Sequence, residues 1–122
     1  MKIAIPVEDQ VMEASISQSF GRAPYYLIFD TQSRECEFID NSAIASQGGA
    51  GIKAAQTMVD SGINALLTPL CGENAAKVLN SANIILYKSL DASAQDNIEA
   101  FNAGSLSLLE DIHPGYHGHG GK

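Results

Sequence analysis

The second half of this chain sets the strongest limit on its fold, because segments with helical spacing alternate there with short apolar runs. Ile52, Ala55 and Val59 recur at helical spacing, Met58 adds to the same side, and Gly62 supplies the stop. Residues 63–68 read as an apolar strand that ends at Pro69. Ala75, Val78 and Leu79 mark a second helix, and residues 84–87 a buried strand. Ser93 followed by Asp96 resembles a capping box, with Ala94, Ile98 and Phe101 as the stripe of a third helix that Gly104 closes. Strands joined through helices lie parallel, because the crossover returns the chain to the edge where it started.

The first half adds antiparallel strands. Ile3, Ile5 and Val7 alternate in an opening strand, and residues 11–20 are looser, with serines at 15, 17 and 19. The aromatic and β-branched run of residues 25–30 faces the alternating residues 35–39 across the turn Thr31-Gln32-Ser33. In that second strand Cys36 and Phe38 share one face, which we read as core, and Glu35 and Glu37 share the other. Residues 42–51 form a glycine-rich loop, and residues 106–109 a last packed turn. The expected fold is α/β, a five-stranded mixed sheet with flanking helices. At 122 residues the chain has room for one domain, placed at residues 1–111. Residues 112–122 hold Pro114, four glycines and all three histidines, a tail without core-forming periodicity.

Charge narrows the function. Seven basic residues against fourteen acidic give −7, which opposes binding to nucleic acid and to an anionic membrane surface. No run approaches the roughly 18–20 apolar residues of a membrane span. The N-terminus begins at once as a strand, without the apolar region or cleavage site of a leader, so a cytoplasmic location is expected. Cys36 and Cys71 form no CxxC pair and read as free thiols in a reducing compartment.

Residues 1–7 (MKIAIPV), 19–30 (SFGRAPYYLIFD), 48–58 (GGAGIKAAQTM) and 68–79 (TPLCGENAAKVL) together resemble the dinitrogenase iron–molybdenum cofactor biosynthesis family. The similarity runs from residue 1 to about residue 110, and the Phe-Gly-Arg-Ala element before an aromatic strand is its most specific part. The resemblance implies a ribonuclease-H-like fold. It also implies a non-enzymatic role in binding, carrying or assembling an iron- or molybdenum-containing sulfide cluster, with a cluster-donor or acceptor protein as partner. A histidine frequently precedes Phe-Gly-Arg in such proteins, and Ser19 stands there in this chain. If that histidine is a ligand in relatives, this chain lacks it or recruits another.

Several residues carry chemistry that fits such a cargo. Arg22, beside Gly21 in the Ser19-Phe20-Gly21-Arg22 segment, suits an anion clamp, and equally a brace for loop carbonyls. Gly48, Gly49 and Gly51 precede a helix whose bare N–H groups can receive an anion, or simply make a sharp turn. They form neither a Walker loop nor a GxGxxG motif. Cys71, followed by Gly72, falls at the carboxyl end of a strand and just before a helix, where an open α/β sheet holds its ligands. A thiolate favoured by that helix end would suit a soft metal; a small buried apolar side chain is the other reading. His113, His117 and His119 in the glycine-rich tail offer imidazoles for Cu, Ni or Zn, or form a solvated appendage. No Ser–His–Asp or Cys–His arrangement occurs outside that tail. The first strand offers no acid before Glu8, which opposes two-metal nuclease chemistry. A protein-interaction or regulatory module that holds no metal is the rival reading.

Overall fold

The computed structural model describes residues 1–46 and 48–110, together with the backbone of residues 112–113. Five strands form the main sheet: β1 (Lys2–Val7), β2 (Tyr25–Asp30), β3 (Cys36–Asp40), β4 (Ala65–Thr68) and β6 (Ile85–Lys88), in the order β3-β2-β1-β4-β6. β1, β2 and β3 pair antiparallel, whereas β4 runs parallel to both β1 and β6. This is the expected mixed α/β sheet. Two features are additional: the four-residue helix α1 (Ser42–Ala45), and the strand β5 (Cys71–Gly72), which pairs parallel with β7 (Ile112–His113).

Both faces of the sheet are covered, so β1 and β4 are buried through almost their whole length. The row Ile28, Ala4, Leu66 and Leu86 packs under α2 (Ala50–Asp60) and α3 (Glu73–Ser81). Ile3, Ile5, Leu27, Ala65 and Leu67 face the opposite way and receive Ala94 and Ile98 of α4 (Ala94–Asn102). Alternation along a strand therefore sorts residues between two apolar layers rather than between core and water.

Three expectations need correction. Cys36 is exposed, because it opens the outermost strand of the sheet. Shared facing with Phe38 indicates a side of the sheet and not whether anything covers it. Ile52 is exposed as well; α2 buries Ala50, Ala54, Ala55 and Met58 instead, a mostly alanine face that lets the helix lie close to its neighbours. Residues 106–109 are not a turn: Lys88 N–H donates to the Ser107 carbonyl and Leu109 N–H to the Leu86 carbonyl, covering the free edge of β6. Among the described residues no helix is long and apolar enough to cross a membrane.

Helix ends follow the reading closely. Gly62 and Gly104 take positive φ after α2 and α4, and the Ser93 hydroxyl accepts the Asp96 N–H at 3.1 Å. The Ser93→Ala variant should lose about 0.5–2 kcal/mol of stability in a urea titration, with the opposite face of the sheet unperturbed in amide spectra. An unchanged midpoint would show that α4 does not need its cap.

Candidate functional site

Three loops meet at the carboxyl ends of β1 and β4, and the first is held from beneath. Phe20 is buried with its ring centroid 5.5 Å from that of Tyr26. The Tyr26 hydroxyl donates to the Phe20 carbonyl. Asn41, buried just after β3, donates from Nδ2 to the Ala23 carbonyl at 2.9 Å, the Gly21 carbonyl at 3.2 Å and the Tyr26 hydroxyl at 3.3 Å. Burial, with Cys71 nearby, holds the Tyr26 hydroxyl well above its ordinary pKa, so it remains a protonated donor. Asn41 and Tyr26 thus give the loop from Phe20 to Ala23 its hydrogen-bond partners inside the core.

Next to that loop lies the start of α2. A Cβ on Gly21 would stand 2.7 Å from Gly51 Cα and 2.8 Å from Gly51 N, so the two backbones meet where only hydrogen fits. Gly49, with φ of +72°, caps α2, and Gly72, extended, caps α3; neither helix start has a side-chain capping bond. Among the described residues, α4 is the one of the three longer helices capped by a side chain. Two helix N-termini with uncapped N–H groups therefore open on the same space.

That space is a cavity of about 380 Å³. It brings together eight of the residues singled out in the sequence: Ser19, Phe20, Gly21 and Arg22 from one loop, Gly49 and Gly51 from the second, and Cys71 and Gly72 from the third. Gly48 does not line it. Ile52, Leu70, Glu73 and Asn74 do, and sequence reasoning passed over all four. Ile52 falls in the helical stripe that the spacing marks as buried, yet it is exposed. Asn74 and Glu73 follow directly from Cys71-Gly72, and the same helix-start argument applied to that glycine would have found them.

Arg22 braces a loop carbonyl and also lines the cavity. Its guanidinium donates from Nη1 to the Ala45 carbonyl at 2.6 Å, and its backbone N–H donates to Ser19 Oγ at 3.3 Å, yet its side chain remains exposed on the cavity wall. The Cys71 thiol is shifted up and not down. It is buried, its sulfur lies 3.6 Å from the Gly72 carbonyl, and burial pushes the thiol up to about 11. Desolvation of the charged form outweighs whatever the helix end contributes.

His117 and His119 lie outside the described residues, as does the side chain of His113, whose backbone pairs with Gly72. Among the described residues no group of three or more His, Cys, Asp or Glu is placed to hold a metal ion.

The fold and this cavity define a small mixed-sheet α/β domain with an amide-rimmed pocket at the carboxyl edge of its parallel strands. Residues 1–104 match the dinitrogenase iron-molybdenum cofactor family, and the chain belongs to that family. No curated protein sequence matches it. Among solved structures it is similar to the orange protein of Desulfovibrio gigas in its apo form, with 28% identity and a TM-score of 0.85 over 90% of this chain and 93% of that one. It is also similar to a NifB-type protein from Thermotoga, with 31% identity and a TM-score of 0.82 over 94% and 98% of the two chains. A dinitrogenase-type protein from Methanocaldococcus jannaschii, at 24% identity and a TM-score of 0.67 over 91% and 96%, shares the fold.

The thiol positions yield a reactivity prediction. At about pH 8, iodoacetamide should alkylate Cys36 readily and leave Cys71 nearly untouched. Because the folded Cys71 titrates above the ordinary value of 9, its contribution to stability is complete below pH 9 and is lost as pH rises toward 11. Equal labelling of both thiols in the native protein would contradict the burial of Cys71.

Proposed function

We propose that the chain is a non-enzymatic carrier or assembly factor that holds an iron- or molybdenum-containing sulfide cluster in the 380 Å³ cavity. The observation that carries this reading is the convergence of two uncapped helix N-termini and Arg22 on one cavity with an apolar wall. The N–H groups and the guanidinium suit an anion. Phe20, Ile52 and Leu70 suit the weakly hydrated, polarisable sulfide surface that separates such a cluster from a phosphate or other oxyanion. Membership of the cofactor family and similarity to an orange protein with an apo form support the same reading.

The donor set also favours one manner of binding. Burial pushes the Cys71 thiol up, and no group of three or more ligands is placed around it among the described residues. On this reading the cluster is cargo held through its outer sulfides, by hydrogen bonds and apolar contact. Such holding lets an intact cluster enter and leave. His113, His117 and His119 would hold Cu, Ni or Zn in the tail, or complete the cluster pocket in place of the histidine that Ser19 replaces, since the His113 backbone pairs with Gly72 at the cavity. The rival reading, an interaction module that holds no metal, has the bond from Arg22 to the Ala45 carbonyl in its favour.

A titration separates the two readings. Tetrathiomolybdate, a metal–sulfide dianion, should bind the native protein with a change in its visible absorption. Arg22→Glu should weaken that binding by about ten- to a hundred-fold, because a charge-assisted contact is replaced by a like charge. Unchanged affinity in a folded Arg22→Glu protein would remove Arg22 from the site. No binding to the native protein would favour the interaction module.

A further inference from the structure

Two charged side chains line the cargo cavity, Arg22 and Glu73, and they are of opposite sign. Arg22 belongs to the loop whose Gly21 meets Gly51 of α2, and its guanidinium is engaged with the Ala45 carbonyl at 2.6 Å. Glu73 is the first residue of α3. It is half-buried, and among the described residues its carboxylate has no hydrogen-bond or ion-pair partner.

The two helix starts that open on the cavity therefore differ. The first turn of α2 holds no acidic residue. The first turn of α3 supplies its own carboxylate, which lies in the field of the same N–H groups that would receive an anion. A sphere of 380 Å³ is about 9 Å across, close to the Debye length at physiological salt, so salt does little to screen Glu73 from an anion inside. A carboxylate in a first helical turn ordinarily serves the helix alone; this one also forms part of the cavity wall.

Its effect depends on the anion. An oxyanion is strongly hydrated, and only strong hydrogen bonds and positive charge can replace its water. With the guanidinium shared with Ala45 and the α3 start shared with Glu73, the cavity offers less of either. A sulfide surface is weakly hydrated and accepts hydrogen bonds weakly. It draws more of its affinity from Phe20, Ile52 and Leu70, whose apolar contact a carboxylate leaves unchanged. The α3 amides are worth more to an oxygen acceptor than to a sulfur one, so weakening them costs the oxyanion more.

We infer that Glu73 sets the selectivity of the cavity, turning away oxyanions such as molybdate and phosphate in favour of a metal–sulfide anion. The inference rests on the carrier reading and names what that cavity excludes.

The test titrates the full-length protein by calorimetry with tetrathiomolybdate and, separately, with molybdate. The two are tetrahedral dianions that differ in sulfur against oxygen. Glu73→Gln should strengthen molybdate binding by about tenfold and tetrathiomolybdate binding by only about two- to threefold, narrowing the preference for sulfide. Glu73→Asp, which keeps the charge, should keep the native preference. Glu37→Gln makes the same change of net charge on the edge strand β3, and should alter neither affinity. Each variant is first shown by its melting transition to be folded. The inference is overturned if Glu73→Gln leaves molybdate affinity as in the native protein, or if both anions gain equally. It is overturned as well if Glu73→Asp behaves as Glu73→Gln does, or if Glu73→Gln weakens both anions, which would make the carboxylate a brace for α3. Absence of tetrathiomolybdate binding by the native protein would count against the carrier reading, while a tenfold gain of molybdate by Glu73→Gln would still uphold Glu73 as an anion filter.

Discussion

Gly21 and Gly51 touch backbone to backbone, and the cavity takes its shape from that contact. It presses the Phe-Gly-Arg loop against the first turn of α2, so that helix start and loop form one wall. The approach is possible because Gly21 has no Cβ, and it is kept by Asn41 and Tyr26, which satisfy the loop's carbonyls from within the core. Without those bonds the loop would need water to reach its carbonyl groups. The residues that line the cavity are therefore positioned by groups that do not line it.

The fold was legible in the sequence because its signals are local. Helical spacing after Gly51, the stops at Gly62 and Gly104, the Ser93 cap and the hairpin run at residues 25–30 each depend on neighbours within a few positions. Cys36 and Ile52 were misplaced for a single reason: periodicity assigns a side chain to a face, and only tertiary packing decides whether that face is covered. β3 is an edge, and α2 packs through alanines. Most of the site was likewise visible as motifs, since glycine before a helix and arginine in a tight turn are local features. Asn41, Tyr26 and Leu70 were not, because their roles depend on loops brought together from distant parts of the chain.

Cys71 shows how two local rules compete. Its position before a helix predicts a lowered pKa, and its burial predicts a raised one; with 2% of its surface exposed, burial wins. A buried thiol and two helix starts without side-chain caps thus line one cavity.

The central claim is that a metal–sulfide anion sits between Gly21, Gly51 and Gly72. The most direct measurement is anomalous scattering at the molybdenum edge from crystals of the protein soaked in tetrathiomolybdate. The account predicts a molybdenum peak inside the cavity, within contact distance of the N-terminal amides of α2 and α3, with no bond from Cys71 sulfur to the metal. A peak at the exposed Cys36, or metal bonded directly to Cys71, would contradict it.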